Sequence, residues 1–237
     1  VYFGDTARVP YGPKSPETIK HYSLQNARFL LSQQVKMIVV ACNTASSFAL
    51  ETLQNKLDIP VIGVIEAGAE AAVVQTDNNK IGVIGTYGTV NSKAYSNAIQ
   101  RINPSIKVYS KACPLFVHIV EEGMENHSIT HQIAKEYLQE LITAKIDTLV
   151  LGCTHYPILK QTLKEVTSGE INLIDSAEVI AASLKNILPE KETKGLGNDK
   201  FFVSDNEENF RSIAEHIIGS QLNDLHKVEL GESWFVN

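Results

Sequence analysis

Two cysteines occupy matching positions in the sequence, each at the end of an apolar run and each followed by polar side chains. In "IVVACNTASS", Cys42 precedes an amide and a hydroxyl side chain, and in "LVLGCTHYP", Cys153 precedes a hydroxyl and an imidazole. A thiol can act as a nucleophile, a metal ligand or a proton-transfer group, and its ordinary pKa of about 8.5 is close enough to neutrality for modest tuning. Cysteines that only fill a core do not need matching polar neighbours, so we interpret this pair as functional.

Three other interpretations of the pair stay open at this level. Both cysteines could be core residues, which is a common fate of this residue type. Cys42, Cys153 and His155 could bind zinc, although the sequence contains no C-x-x-C or H-E-x-x-H motif. Cys153 could be the nucleophile of a Cys–His hydrolase, but we expect His155 to be poorly placed as its base, and Cys42 would then be unexplained. Cys113, in "SKACPLF", lacks polar followers and is predicted to be structural.

The elements that must position these thiols are strands and helices in alternation. Short β-branched runs alternate with segments of helical periodicity, which predicts βαβ units and mainly parallel sheets covered on both faces. In such sheets ligands bind beyond the carboxyl ends of the strands, where the next helix presents free N–H groups. We therefore expect both thiols at helix N-termini, where the helix dipole lowers the pKa of a thiol. The predicted strands are 1–3, 36–41, 61–65, 80–86, 106–110, 147–152, 171–175 and 200–205.

The twin cysteine-bearing strand ends favour an α/β fold of two similar lobes, each a mainly parallel sheet flanked by helices. We expect residues 1–66 and 176–237 to form a discontinuous first lobe and residues 67–175 to form the second. The charged, glycine-containing stretch 189–199 is interpreted as a surface loop of the first lobe.

The composition narrows the classes of function. The 21 Lys and Arg against 27 Asp and Glu give a net charge of −6, and no basic cluster is interleaved with aromatic residues, so nucleic-acid binding is not favoured. No apolar run approaches the roughly 18 residues that a membrane span needs, and the first residues lack the pattern of a signal peptide. Three cysteines are too few for a disulfide framework in 237 residues. We expect a cytoplasmic protein that does not bind membranes.

Two further segments could meet a ligand. "RVPYG" (8–12) has the residues of a turn whose N–H groups could bind an anion, and Thr86 lies at a strand end where its hydroxyl could point into a cleft. The surrounding "IGVIGTYGT" lacks both the G-x-G-x-x-G spacing and a G-K-[ST] motif. It is therefore a weak candidate for a nucleotide phosphate site.

Four motifs together resemble those of a known family. "GDTARVPYG", "VVACNTAS", "GVIGTYGTV" and "LVLGCTHYP", in this order and spacing, resemble the glutamate racemases of the bacterial cell-wall pathway, within the aspartate/glutamate racemase superfamily. The resemblance implies interconversion of L- and D-glutamate without a cofactor or metal, which supplies D-glutamate for peptidoglycan synthesis. It also implies an active site between two α/β lobes, and we expect a homodimer.

The resemblance assigns roles to individual residues. It implies that Cys42 and Cys153 are catalytic and that His155 assists its neighbouring cysteine, with Glu121 or Glu122 as an acidic helper. The substrate-binding positions that it implies are Tyr11, Gly12, Asn43, Thr44, Thr86, Thr154 and His155.

The sequence departs from the family at its beginning, and two alternatives follow. The family begins with a strand that ends in Asp-Ser-Gly, followed by a helix, and this unit is not found in the 237 residues. We therefore expect that a βα unit upstream is missing. One alternative function is aspartate racemase or a related two-cysteine isomerase. The other is a truncated, non-catalytic remnant that binds glutamate or a partner.

Overall fold

Short strands alternate with helices in the computed structural model, which describes residues 1–187 and 199–230. Each of the predicted strands is present, although most are one to three residues shorter than expected. The predicted surface loop 189–199 lies almost entirely outside the described residues. Over these ranges the strands are β1 (Tyr2–Gly4), β2 (Ile38–Val40), β3 (Val61–Gly63), β4 (Lys80–Gly85), β5 (Lys107–Ala112), β6 (Thr148–Gly152), β7 (Asn172–Asp175), β8 (Phe201–Val203) and β9 (Leu225–Lys227).

Helices follow nearly every strand, as βαβ units require. One 3₁₀ helix, Tyr156–Leu159, lies between β6 and the next α-helix. The α-helices of the described ranges are α1 (Pro16–Ser32), α2 (Asn43–Lys56), α3 (Ile65–Gln75), α4 (Tyr87–Asn91), α5 (Ala94–Ile102), α6 (Leu115–Glu121), α7 (Ser128–Thr143), α8 (Lys160–Val166), α9 (Ser176–Ile187) and α10 (Glu207–Ile218).

The largest sheet has four parallel strands in the order β5-β4-β6-β7. Its central pair, β4 and β6, aligns Ile81 with Thr148 and Ile84 with Leu151. Helices α3 and α5 cover one face, where Ile81 and Val150 are buried, and helices α6, α7 and α8 cover the other, where Ile84 and Leu151 are buried. This double coverage explains why both strands are apolar without alternation, as predicted.

The strands outside 67–175 form two smaller parallel sheets rather than one. β1, β8 and β9 form a three-stranded sheet with β8 in the middle, and β2 pairs with β3. β9 was not predicted, because its three residues include only one apolar side chain, Leu225, which is too short a pattern to recognise. The proposed lobe boundaries stay a prediction.

A separate apolar cluster supports the β2–β3 pair. Helices α1 and α2 pack on each other, and Ile19, Ala49 and Leu53 from these helices are buried with Ile38 and Val61 from the two strands. The cluster fixes the end of β2 and the start of α2, which is where Cys42 lies. Over the ranges described here, no helix is both long and apolar enough to cross a bilayer.

Candidate functional site

Cys42 lies between the end of β2 and the first turn of α2, at the N-cap position, as predicted. The backbone N–H groups of Thr44 and Ala45, at the N-terminus of α2, act to lower its pKa. Burial acts more strongly and raises the pKa of Cys42 to about 11, and negative charge on Cys153 raises it further. The expected lowering by the helix dipole is therefore wrong in sign for this thiol, because desolvation outweighs the amide dipoles.

Cys153 directly follows β6 and is 7% exposed. The segment after it is a turn and a short 3₁₀ helix, and α8 begins only at Lys160, so the predicted helix N-terminus at this thiol is wrong. The turn instead brings the imidazole of His155 back towards the thiol, with 3.7 Å between Sγ and Nδ1. The expectation that His155 is poorly placed as a base for Cys153 is wrong as to distance, because the turn puts its ring beside the sulfur.

His155 links Cys153 to a carboxylate. Its Nε2 lies 2.6 Å from Oε1 of Glu121, the last residue of α6. Burial lowers the pKa of His155, but the hydrogen bonds to Cys153 and Glu121 outweigh it and raise the pKa to about 9. The same contact lowers the pKa of Glu121. Of the two candidate acidic helpers it is thus Glu121 that contacts the imidazole, while Glu122 is exposed at the C-terminal end of α6.

The two thiols occupy one site with different surroundings. Asn43, next to Cys42, donates to Oγ of Ser176, which in turn lies 3.5 Å from the carbonyl oxygen of Leu151, two residues before Cys153. Cys42 is held as a neutral thiol by burial, whereas Cys153 lies beside an imidazole that is protonated at neutral pH. Such a pair can present one proton acceptor and one proton donor to a molecule bound between them.

Three threonine hydroxyls join α2 to α4 beside the thiols. Thr44 Oγ1 lies 2.8 Å from Oγ1 of Thr86 and 3.2 Å from that of Thr89. Thr86 caps α4 and accepts a hydrogen bond from the backbone N–H of Thr89. Thr86 therefore lies at the end of β4, as the sequence predicted, and its hydroxyl contacts Thr44, two residues after Cys42, whereas Thr89 was missed because it falls inside the short helix.

Asn43 is buried between two residues that sequence reasoning missed. Its Oδ1 accepts a hydrogen bond of 2.7 Å from the hydroxyl of Tyr95 on α5, and its Nδ2 donates one of 3.3 Å to Oγ of Ser176 at the start of α9. Ser176 follows β7 as Cys42 follows β2, so the rule on strand ends could have found it. Tyr95 gives no such signal.

The side chain of Tyr11 points into the interior of its own segment. Its buried hydroxyl donates to Asp5 and accepts from Nδ2 of Asn26 at 3.1 Å, and the Asp5 carboxylate is also bound by Arg8 at 2.8 Å and by Ser204 at 3.1 Å. Burial raises the pKa of Tyr11, which keeps the hydroxyl protonated. Any contact of Tyr11 with a substrate would therefore be made through its backbone.

Gly12 lies against the threonine cluster. Its carbonyl accepts a hydrogen bond of 3.0 Å from the N–H of Gly88, and a Cβ at this position would lie 2.6 Å from Cβ of Thr86. The turn 8–12 is thus pressed onto the end of β4. The remaining predicted residue, Thr154, is exposed, and its Oγ1 lies 3.5 Å from Nδ1 of His155.

We expect Gly12→Ala to destabilise the protein. The added methyl group meets the branched Cβ of Thr86, which has no room to move because its hydroxyl is held by Thr44. Overpacking of this kind costs about 1–3 kcal/mol, which for a chain of this size lowers the melting temperature by several degrees, about 2–4 °C per kcal/mol. Thermal unfolding checks this, and an unchanged melting temperature would show that the turn is not held against Thr86.

The zinc alternative lacks a ligand set among the residues that the structure describes. Across 1–187 and 199–230, no group of three or more His, Cys, Asp and Glu side chains converges closely enough to hold a metal ion. Cys153 and His155 are instead arranged with Glu121 as a hydrogen-bonded series.

Comparison with known proteins places the chain among racemases. Residues 1–184 match the model of the Asp/Glu/Hydantoin racemase family. A glutamate racemase of Geobacter metallireducens is 50% identical over 234 residues, which cover 97% of this chain and 87% of that protein. The crystal structure of glutamate racemase isoform RacE1 from Bacillus anthracis superposes with a TM-score of 0.90 at 41% identity, over 97% of this chain and 87% of that one. For the glutamate racemase of Francisella tularensis, solved in complex with D-glutamate, the TM-score is 0.86 at 40% identity, over 98% and 88%. The chain therefore belongs to the Asp/Glu/Hydantoin racemase family.

Proposed function

We propose that this chain is a glutamate racemase that interconverts L- and D-glutamate with two cysteines, Cys42 and Cys153. The observation that carries the proposal is the placement of two thiols at strand ends that meet, one buried at a helix N-terminus and the other in contact with the imidazole of His155. The names of the relatives and the D-glutamate bound to the Francisella tularensis enzyme support glutamate as the substrate. Its role would be to supply D-glutamate for peptidoglycan synthesis.

The chemistry explains why two thiols are needed. The α-proton of an amino acid is a very weak acid, and inversion requires that it leave from one face of the α-carbon and that a proton arrive on the other. One group on each side of the planar, carbanion-like state achieves this. A thiol is suited to both tasks because its ordinary pKa, about 8.5, allows either form near neutral pH.

The surroundings of the thiols set the starting state. Cys153, in contact with the imidazole of His155, is the proposed acceptor of the α-proton of one enantiomer, while burial keeps Cys42 protonated and ready to donate. After turnover the protonation states are exchanged, so the opposite enantiomer is the substrate for the reverse reaction. Glu121 holds the imidazole in place and favours its charge.

The proposed reaction uses no pyridoxal phosphate to delocalise charge. The charge that develops on the substrate carboxylate must therefore be stabilised by hydrogen-bond donors. The proposed donors are the side chains of Asn43, Thr44, Thr86 and Thr154, together with backbone N–H groups of the turn at 11–12. Asn43 and Thr44 form the first turn of α2, whose free N–H groups also favour an anion.

Direct assay of both enantiomers tests the proposal. We expect the purified chain to convert L-glutamate to D-glutamate and the reverse, with kcat/KM for glutamate at least about tenfold above that for aspartate, because a site that hydrogen-bonds a polar side chain rejects one of the wrong length. Activity should survive dialysis against a chelator. Faster turnover of aspartate would favour the aspartate racemase alternative, and glutamate binding without turnover would favour the non-catalytic one. Light scattering tests the expected homodimer.

A further inference from the structure

We propose that Tyr95 is a positioning residue that holds the two cysteine-bearing segments in their working arrangement. It does so by orienting the amide of Asn43, next to Cys42, and by filling the space beside Gly152, next to Cys153. This inference rests on the proposed function, since it assigns a part in the same reaction to a residue that is not itself proposed to contact the substrate.

The first contact fixes the amide of Asn43. Tyr95 is 2% exposed, and burial raises the pKa of its hydroxyl, so the hydroxyl stays protonated and donates to Oδ1 of Asn43 at 2.7 Å. With Oδ1 held, Nδ2 must point to Ser176, where it donates one of its two protons. The second N–H of Asn43 is then left in a defined direction for a substrate carboxylate.

The second contact fixes the ring. A Cβ built on Gly152 would lie 3.2 Å from Cε2 of Tyr95, and one built on Gly68 of α3 would lie 3.1 Å from both Cε1 and the hydroxyl oxygen. The ring therefore occupies a slot whose walls at these two points are backbone. Because Gly152 immediately precedes Cys153, the position of the ring and the position of that thiol are tied together.

These two contacts matter because the reaction depends on distance. Both sulfurs must reach the same α-carbon from opposite sides, and a misplacement of about 1 Å can cost about 10²-fold in rate. Tyr95 comes from α5, whereas Cys42 precedes α2 and Cys153 follows β6. The side chain of Tyr95, on α5, thus contacts both Asn43, next to Cys42, and Gly152, next to Cys153.

Tyr95→Phe tests the proposal, because it keeps the ring in its slot and removes the hydrogen bond to Asn43. We expect kcat to fall at least about fivefold and KM for glutamate to rise at least about threefold, since a loosened amide binds both the substrate and the transition state less well. A loss of folded protein alone would lower the amount of active enzyme and leave KM unchanged. Tyr137→Phe is the matched control, because it removes a hydroxyl that only accepts from the backbone N–H of Leu115, and its kcat and KM should stay within about twofold of the wild type.

A double-mutant cycle with Ser176→Ala tests whether Tyr95 acts through Asn43. Ser176 is the other partner of the same amide, so the single variant should show the same changes in kcat and KM. If both residues act through Asn43, the double variant should lose no more than about threefold beyond the worse single variant. If Tyr95→Phe does not fold, the kcat and KM of Ser176→Ala alone test the proposal, against the same thresholds as for Tyr95→Phe.

The proposal is overturned if Tyr95→Phe changes kcat or KM by less than these thresholds. It is also overturned if the loss in the double variant equals the product of the losses in the two single variants. The wild-type assay separates this inference from the proposed function. An inactive wild-type chain would remove both, whereas an active wild type with an unaffected Tyr95→Phe would remove only the role of Tyr95.

Discussion

Replacement of either Cys42 or Cys153 by serine is expected to lower racemisation by about 10²- to 10⁴-fold, the effect typical of a lost acid–base group. The serine hydroxyl has nearly the shape of the thiol but is a far weaker acid, so it cannot form the anion that removes the α-proton. Each variant should fold, because exchanging one sulfur for an oxygen adds no atoms to the packing around either residue. Rates in both directions, with a melting curve for each variant, provide the measurement.

Cys113→Ser is the matched control for these variants. Cys113 is fully buried, and its sulfur lies 3.7 Å from the carbonyl oxygen of Lys111. We expect activity within about twofold of the wild type and a modest loss of stability, as for other small core substitutions. Near-normal racemisation by Cys42→Ser or Cys153→Ser would rule out a mechanism that needs both thiols.

The second large effect is expected at the imidazole. His155→Asn should lower kcat/KM by about 10²-fold, because the positive charge of the imidazolium beside the sulfur of Cys153 is lost. In the wild type, His155 is protonated below its pKa of about 9, so this charge is present at neutral pH and is lost as the pH rises through that value. The rate should therefore fall on the alkaline side of the profile.

Glu121→Gln should shift that alkaline limb to lower pH. The Glu121 carboxylate raises the pKa of His155, so its removal makes the imidazole lose its proton earlier. Glu122→Gln removes the same charge from the exposed neighbouring position and should leave the profile in place. Superimposable profiles for Glu121→Gln and the wild type would contradict the assignment of Glu121 as the partner of His155.

Sequence patterns located the strands and thereby the thiols. The apolar runs before Cys42 and Cys153 indicate strands, and the rule that ligands bind at the carboxyl ends of parallel strands places each cysteine, and Thr86, at such an end, although β2 belongs to a different sheet from β4 and β6. The motif that begins with Cys153 pointed to His155, although only the turn of the backbone shows that its ring reaches the thiol.

Other features of the site depend on packing that no local pattern encodes. The pKa of Cys42 is set by burial, which overrides the helix dipole that the sequence suggested. The hydroxyl of Tyr11 is bound to Asp5, six residues away in the same connection between β1 and α1, through a fold of that loop that no pattern of residues predicts. Tyr95 reaches Asn43 across 52 residues of sequence, and its place in α5 resembles that of any core aromatic residue.

Solvent isotope incorporation tests the central claim, that one thiol removes the α-proton and the other delivers a different one. L-glutamate is incubated with the enzyme in D₂O, and the deuterium content at the α-carbon of product and recovered substrate is measured at low conversion. Two thiols on opposite faces predict D-glutamate that carries deuterium, because the donating thiol has exchanged with solvent, and recovered L-glutamate that still carries protium. Deuterium entering recovered L-glutamate as fast as it enters the product, or a product that retains the original proton, would contradict the account.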